Sequence, residues 1–314
     1  MMTHNGIAHA RIWRKWEKLH RGSVRIFCHQ SAASPITDTM DGVSFLRKHL
    51  LTTSIAAGWG TPSFCEALLR SCQELLSLDG NWTHVAVVSG THIPIVRLDG
   101  PSRLPPNGTS LLAAMYPHIP DAAAPYQRHL RQARFKFDRK LVDSLKMHQT
   151  WVVLARPHVQ VLVSRLSEVL QLAHDMHEAL MEVQSYREGK VLIDELLINS
   201  ALQRWSAPDQ DTDTAAANRA HTRPFRDEAV TAVHFSKAGD LHPITWTQLD
   251  QNMTTSFYRN RRSLRYILRL HNRAMHKPWY FFRKVNVTAA DENSLLSELQ
   301  ELWSLSMTLP GQWS

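Results

Sequence analysis

The 314-residue chain has few cysteines and no long apolar run. Its three cysteines are too few for a disulfide-stapled mini-protein, and no stretch approaches the ~18 apolar residues of a membrane-spanning helix. The segment from Met1 to Arg21 is too polar for a secretory signal peptide. With 43% hydrophobic and 20% charged residues, the chain is neither disordered nor a collagen-like or coiled-coil rod. We expect one globular domain over residues 1–314, without a leader or membrane span.

Common nucleotide-binding and hydrolase motifs are also missing. The chain has no Walker loop, no Gly-x-Gly-x-x-Gly after a strand and no Gly-x-Ser-x-Gly elbow. Two patterns resemble metal sites, but each has an ordinary explanation. His174 and His177 share a helix face without an identifiable third ligand, which favours an exposed helix. Asp211 and Asp213 form an Asp-x-Asp in a low-complexity loop, which favours solvated carboxylates. We expect no metal site.

Positive charge is concentrated near the carboxyl terminus. Nine basic residues and no acidic one lie between Tyr258 and Lys284, and the remaining residues sum to about zero. The pattern predicts a basic helix followed by an aromatic strand, and it predicts a nearby anion. Nucleic acid, anionic lipid and a nucleotide diphosphate all qualify.

Helical and strand patterns alternate along the chain, which predicts an α/β fold with a mostly parallel sheet flanked by helices. In one of these units, Thr61 is a candidate N-cap and Pro62 takes the first helical position. Irregular excursions interrupt the alternation near residues 101–126 and 206–226. Predicted strands lie at 23–29, 51–57, 82–89, 150–154, 229–235 and 279–282, and predicted helices at 9–20, 61–75, 157–183, from 194, and 290–306.

Several segments, in the same order along the chain, resemble the core-2/I-branching N-acetylglucosaminyltransferases of glycosyltransferase family 14, especially the branch abundant in plants. Each segment is short, and the specificity comes from their colinear order across nearly the whole chain. They are Ile12–Trp16 with Arg25–His29, Gly58–Ser63, Val87–Ile95, His148–Trp151, Ile193–Glu195, His242–Pro243 and Phe281–Lys284.

The resemblance implies a GT-A-like fold and inverting, metal-independent sugar transfer from a UDP-sugar to a glycan or glycoprotein hydroxyl. N-acetylglucosamine is the first expected sugar, with no cofactor. Glu195 falls at the position of the family's catalytic base. From spacing alone, Asp194 and Glu195 would instead be interpreted as helix caps. Lys284 matches the family's phosphate-contacting lysine. Arg283 and His242 are further candidates for contact with the diphosphate. If the strand continues, the Arg283 side chain would point to the opposite side from that of Lys284.

The resemblance also implies donor and acceptor contacts. Cys28 and His29 would face the uridine, and Ser63, Ser89 and His92 would lie near the donor sugar. Arg131, Arg134 and Trp151 correspond to acceptor-side positions. For the arginines the alternative is a solvated helix face, and for Trp151 it is a core aromatic on a buried strand.

The chain departs from its relatives in two places. Relatives begin with a membrane anchor, a stem and a first β-strand, whereas this sequence starts almost directly at the following helix. We expect either a truncated chain or a sheet without that strand and with doubtful activity. The 206–226 excursion has no counterpart. By resemblance the enzyme is a glycoprotein of the Golgi lumen or membrane, held through an anchor absent from this sequence.

Two alternatives come from other functional classes. The first is a nucleic-acid-binding protein that uses the basic segment with its interleaved tyrosine and tryptophan side chains. The second is a relative that binds glycan without catalysis, which would fit the missing first strand.

Overall fold

A computed structural model describes most of the first two thirds of the chain and shorter parts of the remainder. The described residues are 1–3, 6–39, 42–78, 80–98, 105–112, 124–133, 137–143, 145–182, 192–206, 231–233, 248, 253–255, 258–266, 281–283, 285 and 287–305.

Helices of five to seventeen residues alternate with strands of two to five in these ranges. The helices are α1 (Ala10–Leu19), α2 (Val43–Lys48), α3 (Pro62–Ser77), α4 (Ala124–Gln132), α5 (Arg139–Asp143), α6 (Arg156–Ser164), α7 (Leu166–Met181), α8 (Leu197–Ser206) and α9 (Ala289–Leu305), with a 3₁₀ turn at Ile193–Glu195. The strands are β1 (Met2–Thr3), β2 (His29–Gln30), β3 (His84–Ala86), β4 (Ile93–Pro94), β5 (Val153–Ala155), β6 (Thr231–Val233), β7 (Met253–Thr255), β8 (Tyr258–Arg262) and β9 (Phe281–Arg283).

A strand precedes α1, contrary to the sequence-based expectation. β1 pairs in parallel with β2, with Met2 opposite His29, and Met2 also forms a parallel bridge to Ser89. The N–H of Met2 donates to the Val88 carbonyl at 2.7 Å, which ties this short strand to a second neighbour. The sequence pattern missed β1 because two residues are too few to show a period.

The described strands form small sheets of mixed direction. β1–β2 and β6–β9 are parallel, whereas β3–β5, β4–β9 and β7–β8 are antiparallel. A mostly parallel sheet is therefore not seen in the described ranges. Alternation of helix and strand patterns had suggested it, but alternation alone does not fix strand direction. The mixed content of helices and strands agrees with the predicted α/β class.

The basic segment does not begin as the predicted helix. Tyr258–Arg262 is β8, which pairs antiparallel with β7 through Met253 opposite Arg262 and Thr255 opposite Tyr258. Helical geometry begins only at residues 264–266. Arginine itself is a good helix former, so pairing with β7 overrides local propensity at β8.

Helix ends follow the sequence more closely. Thr61 has the extended backbone of an N-cap, and Pro62 is the first residue of α3, as predicted. The single helix predicted over 157–183 is two helices, because the chain breaks at Arg165, where φ is −112° and ψ is 24°. The predicted terminal helix is confirmed as α9.

The hydrophobic core has two clusters on opposite faces of the strands. Along β5 and the residue before it, Val152 and Leu154 pack into one cluster and Val153 into the other, as the alternation of a strand requires. The first cluster is covered by α3, α6, α7 and α8, and the second by α1, α2 and α9. No helix among the described residues has the length and apolarity needed to cross a membrane.

Candidate active site

A buried acidic turn lies where three distant segments meet. Asp194 and Glu195 are 2% and 3% exposed, although both carry carboxyl groups. Main-chain hydrogen bonds fix the turn: the Ile193 N–H donates to the Gly60 carbonyl at 3.2 Å, and the His148 N–H donates to the Glu195 carbonyl at 2.8 Å. The turn's position is therefore set by backbone groups of the loop before α3 and the loop before β5.

Thr150 contacts both acidic side chains. Its hydroxyl donates to Asp194 Oδ2 at 2.6 Å and lies 3.3 Å from Glu195 Oε1. Thr150 itself is buried, so this contact lies in a site from which water is largely excluded. A carboxylate in such a site can take a proton from a bound hydroxyl group, which is the chemistry of a general base.

Two described neighbours of the acidic turn, Cys65 and His148, have pKa values shifted by burial. Burial raises the pKa of the Cys65 thiol on α3 well above its ordinary value, and the negative charge of Asp194 raises it further. On the other side, burial lowers the pKa of His148 to about 4, and its Nδ1 donates to the Gln149 carbonyl at 2.7 Å. Cys65 and His148 are therefore neutral neighbours at physiological pH.

Ser89 and His92 form a second polar group, which reaches the loop of Thr150 through Trp151. The His92 imidazole is buried, its Nδ1 accepts the Ser89 N–H at 3.0 Å, and it lies 2.7 Å from Ser89 Oγ. The His92 and Trp151 ring centroids are 4.8 Å apart at 67°. Trp13 holds the same loop by donating its indole N–H to the His92 carbonyl at 3.0 Å.

Trp151 is 6% exposed and belongs to the first core cluster. This burial supports its interpretation as a core aromatic. Its edge-to-face contact with His92 gives it a packing role next to the second polar group.

Ser63 lies in a self-contained turn at the start of α3. Its hydroxyl oxygen accepts the Gly58 N–H at 3.1 Å and is 2.8 Å from the Thr61 hydroxyl, which donates to the Gly58 carbonyl at 2.6 Å. Gly60 in this turn has a φ of 79°, which glycine adopts without strain. The turn places Ser63 two residues beyond Thr61, on the segment that carries the Gly60 carbonyl.

Cys28 immediately precedes β2 and His29 is its first residue, and both are buried. Burial raises the pKa of the Cys28 thiol, and the Cys28 backbone pairs with His49 and Leu51. The His29 Nε2 accepts the Ile55 N–H at 3.1 Å, and burial lowers the pKa of this imidazole. Both residues support the local fold here, and their contact with uridine stays a prediction.

Arg131 lies on α4, at the surface. Its guanidinium forms an ion pair with Asp143 of α5 at 2.6 Å, and its side chain is 52% exposed. This geometry agrees with the solvated helix face. Four other predicted positions, Lys284, His242, Arg134 and the Arg283 side chain, lie outside the described residues, as do Asp211 and Asp213.

Among the described residues, no three His, Cys, Asp or Glu side chains gather in a way that could hold a metal ion. His174 and His177 are neighbours on α7. Burial lowers the pKa of His177, and the positive charge of His174 lowers it further. A cavity of about 430 Å³ opens elsewhere, lined mainly by apolar side chains such as Trp13, Trp82 and Phe281. None of the predicted site residues lines it.

Thr150 and Cys65 are the site residues that sequence reasoning missed. Thr150 lies within the quoted segment His148–Trp151, so that segment marked its place but not its contact with the two acids. Cys65 follows Ser63 by two residues and showed no signal beyond its position on a predicted helix.

Comparison with protein families assigns the first three quarters of the chain. A family model described as "Branch: Core-2/I-Branching enzyme" matches residues 1–245, a range that includes the acidic turn, Thr150 and the Ser89–His92 group. No curated protein matches the chain significantly.

Proposed function

The chain belongs to the core-2/I-branching enzymes, a family of glycosyltransferases, and from this membership we propose an inverting transfer from a UDP-sugar to a glycan or glycoprotein hydroxyl. N-acetylglucosamine is the proposed donor sugar, and glucuronosyl and xylosyl donors are the next to test. The family is generally Golgi-associated, and we propose the Golgi lumen as the place of the reaction.

The buried acidic turn is the observation that carries this proposal. Glu195 accepts the proton of the acceptor hydroxyl, the acceptor oxygen forms a bond to the anomeric carbon, and the bond from that carbon to UDP breaks. The electron pair of the broken bond leaves with the UDP β-phosphate. Attack from the face opposite UDP inverts the anomeric configuration, so one base is sufficient for the chemistry.

The leaving diphosphate needs positive charge, which we assign to side chains. Lys284, with Arg283 and His242 as secondary candidates, would stabilise the charge that develops on UDP. Cys28, His29, Ser63, Ser89 and His92 are the proposed donor-side residues, with Trp151, Arg131 and Arg134 on the acceptor side. No metal ion is part of this proposal.

A donor panel tests the reaction directly. UDP release and sugar transfer are measured for several UDP-sugars with EDTA present, using wild type and Glu195→Gln. Activity in EDTA that falls at least about 100-fold in Glu195→Gln would support the proposal. Glu298→Gln is the matched control: Glu298, on α9, is also a buried glutamate, but it forms an ion pair with Arg265 and is not part of the acidic turn.

Other outcomes would overturn it. Full activity in Glu195→Gln would remove the proposed base, and strict dependence on added metal would contradict side-chain stabilisation of UDP. UDP affinity by calorimetry without turnover would indicate a binding protein. Salt-sensitive oligonucleotide binding that UDP does not displace would indicate a nucleic-acid-binding protein.

A further inference from the structure

We propose that His9 and Trp13 are positioning residues for the Ser89–His92 group, which they hold through its main chain. Neither side chain is assigned a contact with the sugar; the two of them determine where Ser89 and His92 lie. The inference rests on the proposed function, in which this group lies near the donor sugar. It deepens that function by naming the element, α1, that sets the position of the group.

The start of α1 holds two carbonyl groups of the loop that carries Ser89 and His92. The Ala8 N–H donates to the Gly90 carbonyl at 3.0 Å. The indole N–H of Trp13 donates to the His92 carbonyl, also at 3.0 Å. These two bonds fix the loop on both sides of residue 91, so a shift of α1 would move the whole loop.

His9 acts on the carbonyl between these two, through one intermediate residue. The His9 Nε2 lies 3.0 Å from the Val285 carbonyl, and the Val285 N–H donates to the Thr91 carbonyl at 3.3 Å. A carbonyl oxygen has no hydrogen to give, so the His9 Nε2 carries the hydrogen of this bond. Because His9 is buried, water cannot readily replace it as the donor. His9 therefore holds Thr91 by holding Val285.

Helix α9 supports His9 from its other side. The His9 Nδ1 lies 4.0 Å from Glu292 Oε1 in the first turn of α9, and the Arg11 guanidinium donates to Asn293 Oδ1. In the sequence, only three residues separate Val285 from the start of α9. The bond from His9 to Val285 is therefore made between two segments that are joined again at α9.

The main-chain bonds also determine the directions of the hydroxyl groups in the loop. His92 Nδ1 accepts the Ser89 N–H at 3.0 Å, so it carries no hydrogen, and the Ser89 hydroxyl at 2.7 Å donates to it. The Thr91 hydroxyl, 3.0 Å from Ser89 Oγ, then donates to that oxygen. A displaced Thr91 or His92 main chain would redirect both hydroxyl groups.

Trp16 supplies a matched control for Trp13. Both indoles lie on α1, both are 2% exposed, and both donate their N–H to a main-chain carbonyl. The Trp16 bond goes to Val96 at 2.8 Å, four residues beyond His92. Loss of the Trp16 bond should therefore leave the Ser89–His92 group in place.

Amide exchange measured by NMR tests the position of the loop without a ligand. Labelling with carbonyl-¹³C lysine and ¹⁵N valine selects the two Lys–Val pairs of the chain, one of which contains Val285. Lys190→Arg identifies the other pair by the loss of its signal. We expect His9→Phe to speed exchange of the Val285 amide at least about tenfold, because its bond to Thr91 loosens. His9→Gln, which keeps a side-chain N–H, should preserve slow exchange.

Calorimetry with UDP and with UDP-N-acetylglucosamine tests the consequence for binding. We expect His9→Phe and Trp13→Phe to bind UDP-N-acetylglucosamine about tenfold more weakly, because each leaves a buried carbonyl without its donor. Affinity for UDP itself should stay within about twofold, since the group is assigned to the sugar. His9→Gln should restore the wild-type affinity, and Trp16→Phe should leave both affinities within about twofold.

The outcomes separate this inference from the proposed function. Unchanged exchange at Val285 in His9→Phe would overturn the inference, and so would equal weakening of both ligands in His9→Phe and Trp13→Phe, which indicates a general structural loss. If exchange rises but neither variant changes the binding of either ligand, α1 does position the group. In that case the proposed place of Ser89 and His92 near the donor sugar is wrong.

Discussion

Gly90 lies where two backbone segments almost touch. A Cβ built on Gly90 would be 2.3 Å from the Gly6 carbonyl oxygen, a distance at which the backbone has to move. We predict that Gly90→Ala lowers the free energy of unfolding by more than about 2 kcal/mol, because the displaced atom is main chain. Urea unfolding followed by tryptophan fluorescence measures the change.

Gly22 is the matched control for this substitution. It has a φ of 88°, and a Cβ there meets nothing within 4 Å, so Gly22→Ala should cost about 1 kcal/mol from backbone strain alone. Equal stability of the two variants would show that the contact between Gly90 and Gly6 is not tight. Because Gly90 follows Ser89, the same displacement should also disturb the hydrogen bonds of His92.

The chemical identity of site residues could be predicted from sequence better than their contacts. Glu195 stands in a short motif, and the structure places it in a buried turn. The bond from Thr150 to Asp194 joins residues 150 and 194, which no local pattern connects. A lone polar residue such as His29 is ambiguous in sequence, since a histidine that accepts a backbone N–H looks the same there as one that faces a ligand.

At the scale of elements, α4 and α5 are joined by one exposed ion pair between Arg131 and Asp143. We predict that Arg131→Ala changes stability by less than about 1 kcal/mol, because exposed ion pairs contribute little. If Arg131 also binds acceptor, KM for the acceptor should rise while kcat stays constant. Asp143→Asn is the control: it breaks the same pair, so a matching rise in KM there would assign the effect to helix docking.

The ends of helices and strands could be predicted from the sequence where the chemistry of neighbouring residues determines them. Pro62 at the start of α3 fixes φ in the helical range and needs no N–H donor, so position and type were both predictable. β8 was not predictable in this way, because a run of arginines and one asparagine has no period that distinguishes strand from helix. Its conformation depends on pairing with β7, which lies outside the local sequence.

For the molecule as a whole, two buried histidines make stability depend on pH. Burial lowers the pKa of His148 and of His158 to about 4, and for His158 the charge of His84 adds to the effect. The unfolded chain binds these protons near pH 6.5, so it holds more protons than the native state between pH 6.5 and 4. Stability is therefore fully present above pH 6.5 and is lost as the pH falls toward 4.

The expected loss is about 2 kcal/mol for each histidine at pH 5, measured by urea unfolding at pH 7 and pH 5. His158→Asn should lose less between these pH values than wild type, since asparagine does not titrate. The Nδ1 of His158 lies 2.7 Å from the Ser110 hydroxyl, and an asparagine can retain a hydrogen bond there. An identical pH dependence in the variant would show that His158 does not contribute to the loss.

The mixture of helices and strands was predictable because hydrophobic periods of about 3.6 and 2 residues distinguish the two kinds of element. Sheet arrangement was not, because it depends on long-range pairs such as Met2 with Ser89 and Ile93 with Phe282. The second core cluster likewise draws residues from both ends of the sequence, including Trp13 and Trp303.

The main-chain bonds of the acidic turn have a consequence for synthesis of the protein. Gly60 leaves the ribosome early, His148 much later, and Ile193 last, yet the bonds among these segments position the acidic turn. A nascent chain therefore cannot assemble this turn until residue 195 has emerged. Under the proposed function, fragments divided between Gly60 and His148 are each expected to be inert, and activity is expected to return only when both halves associate.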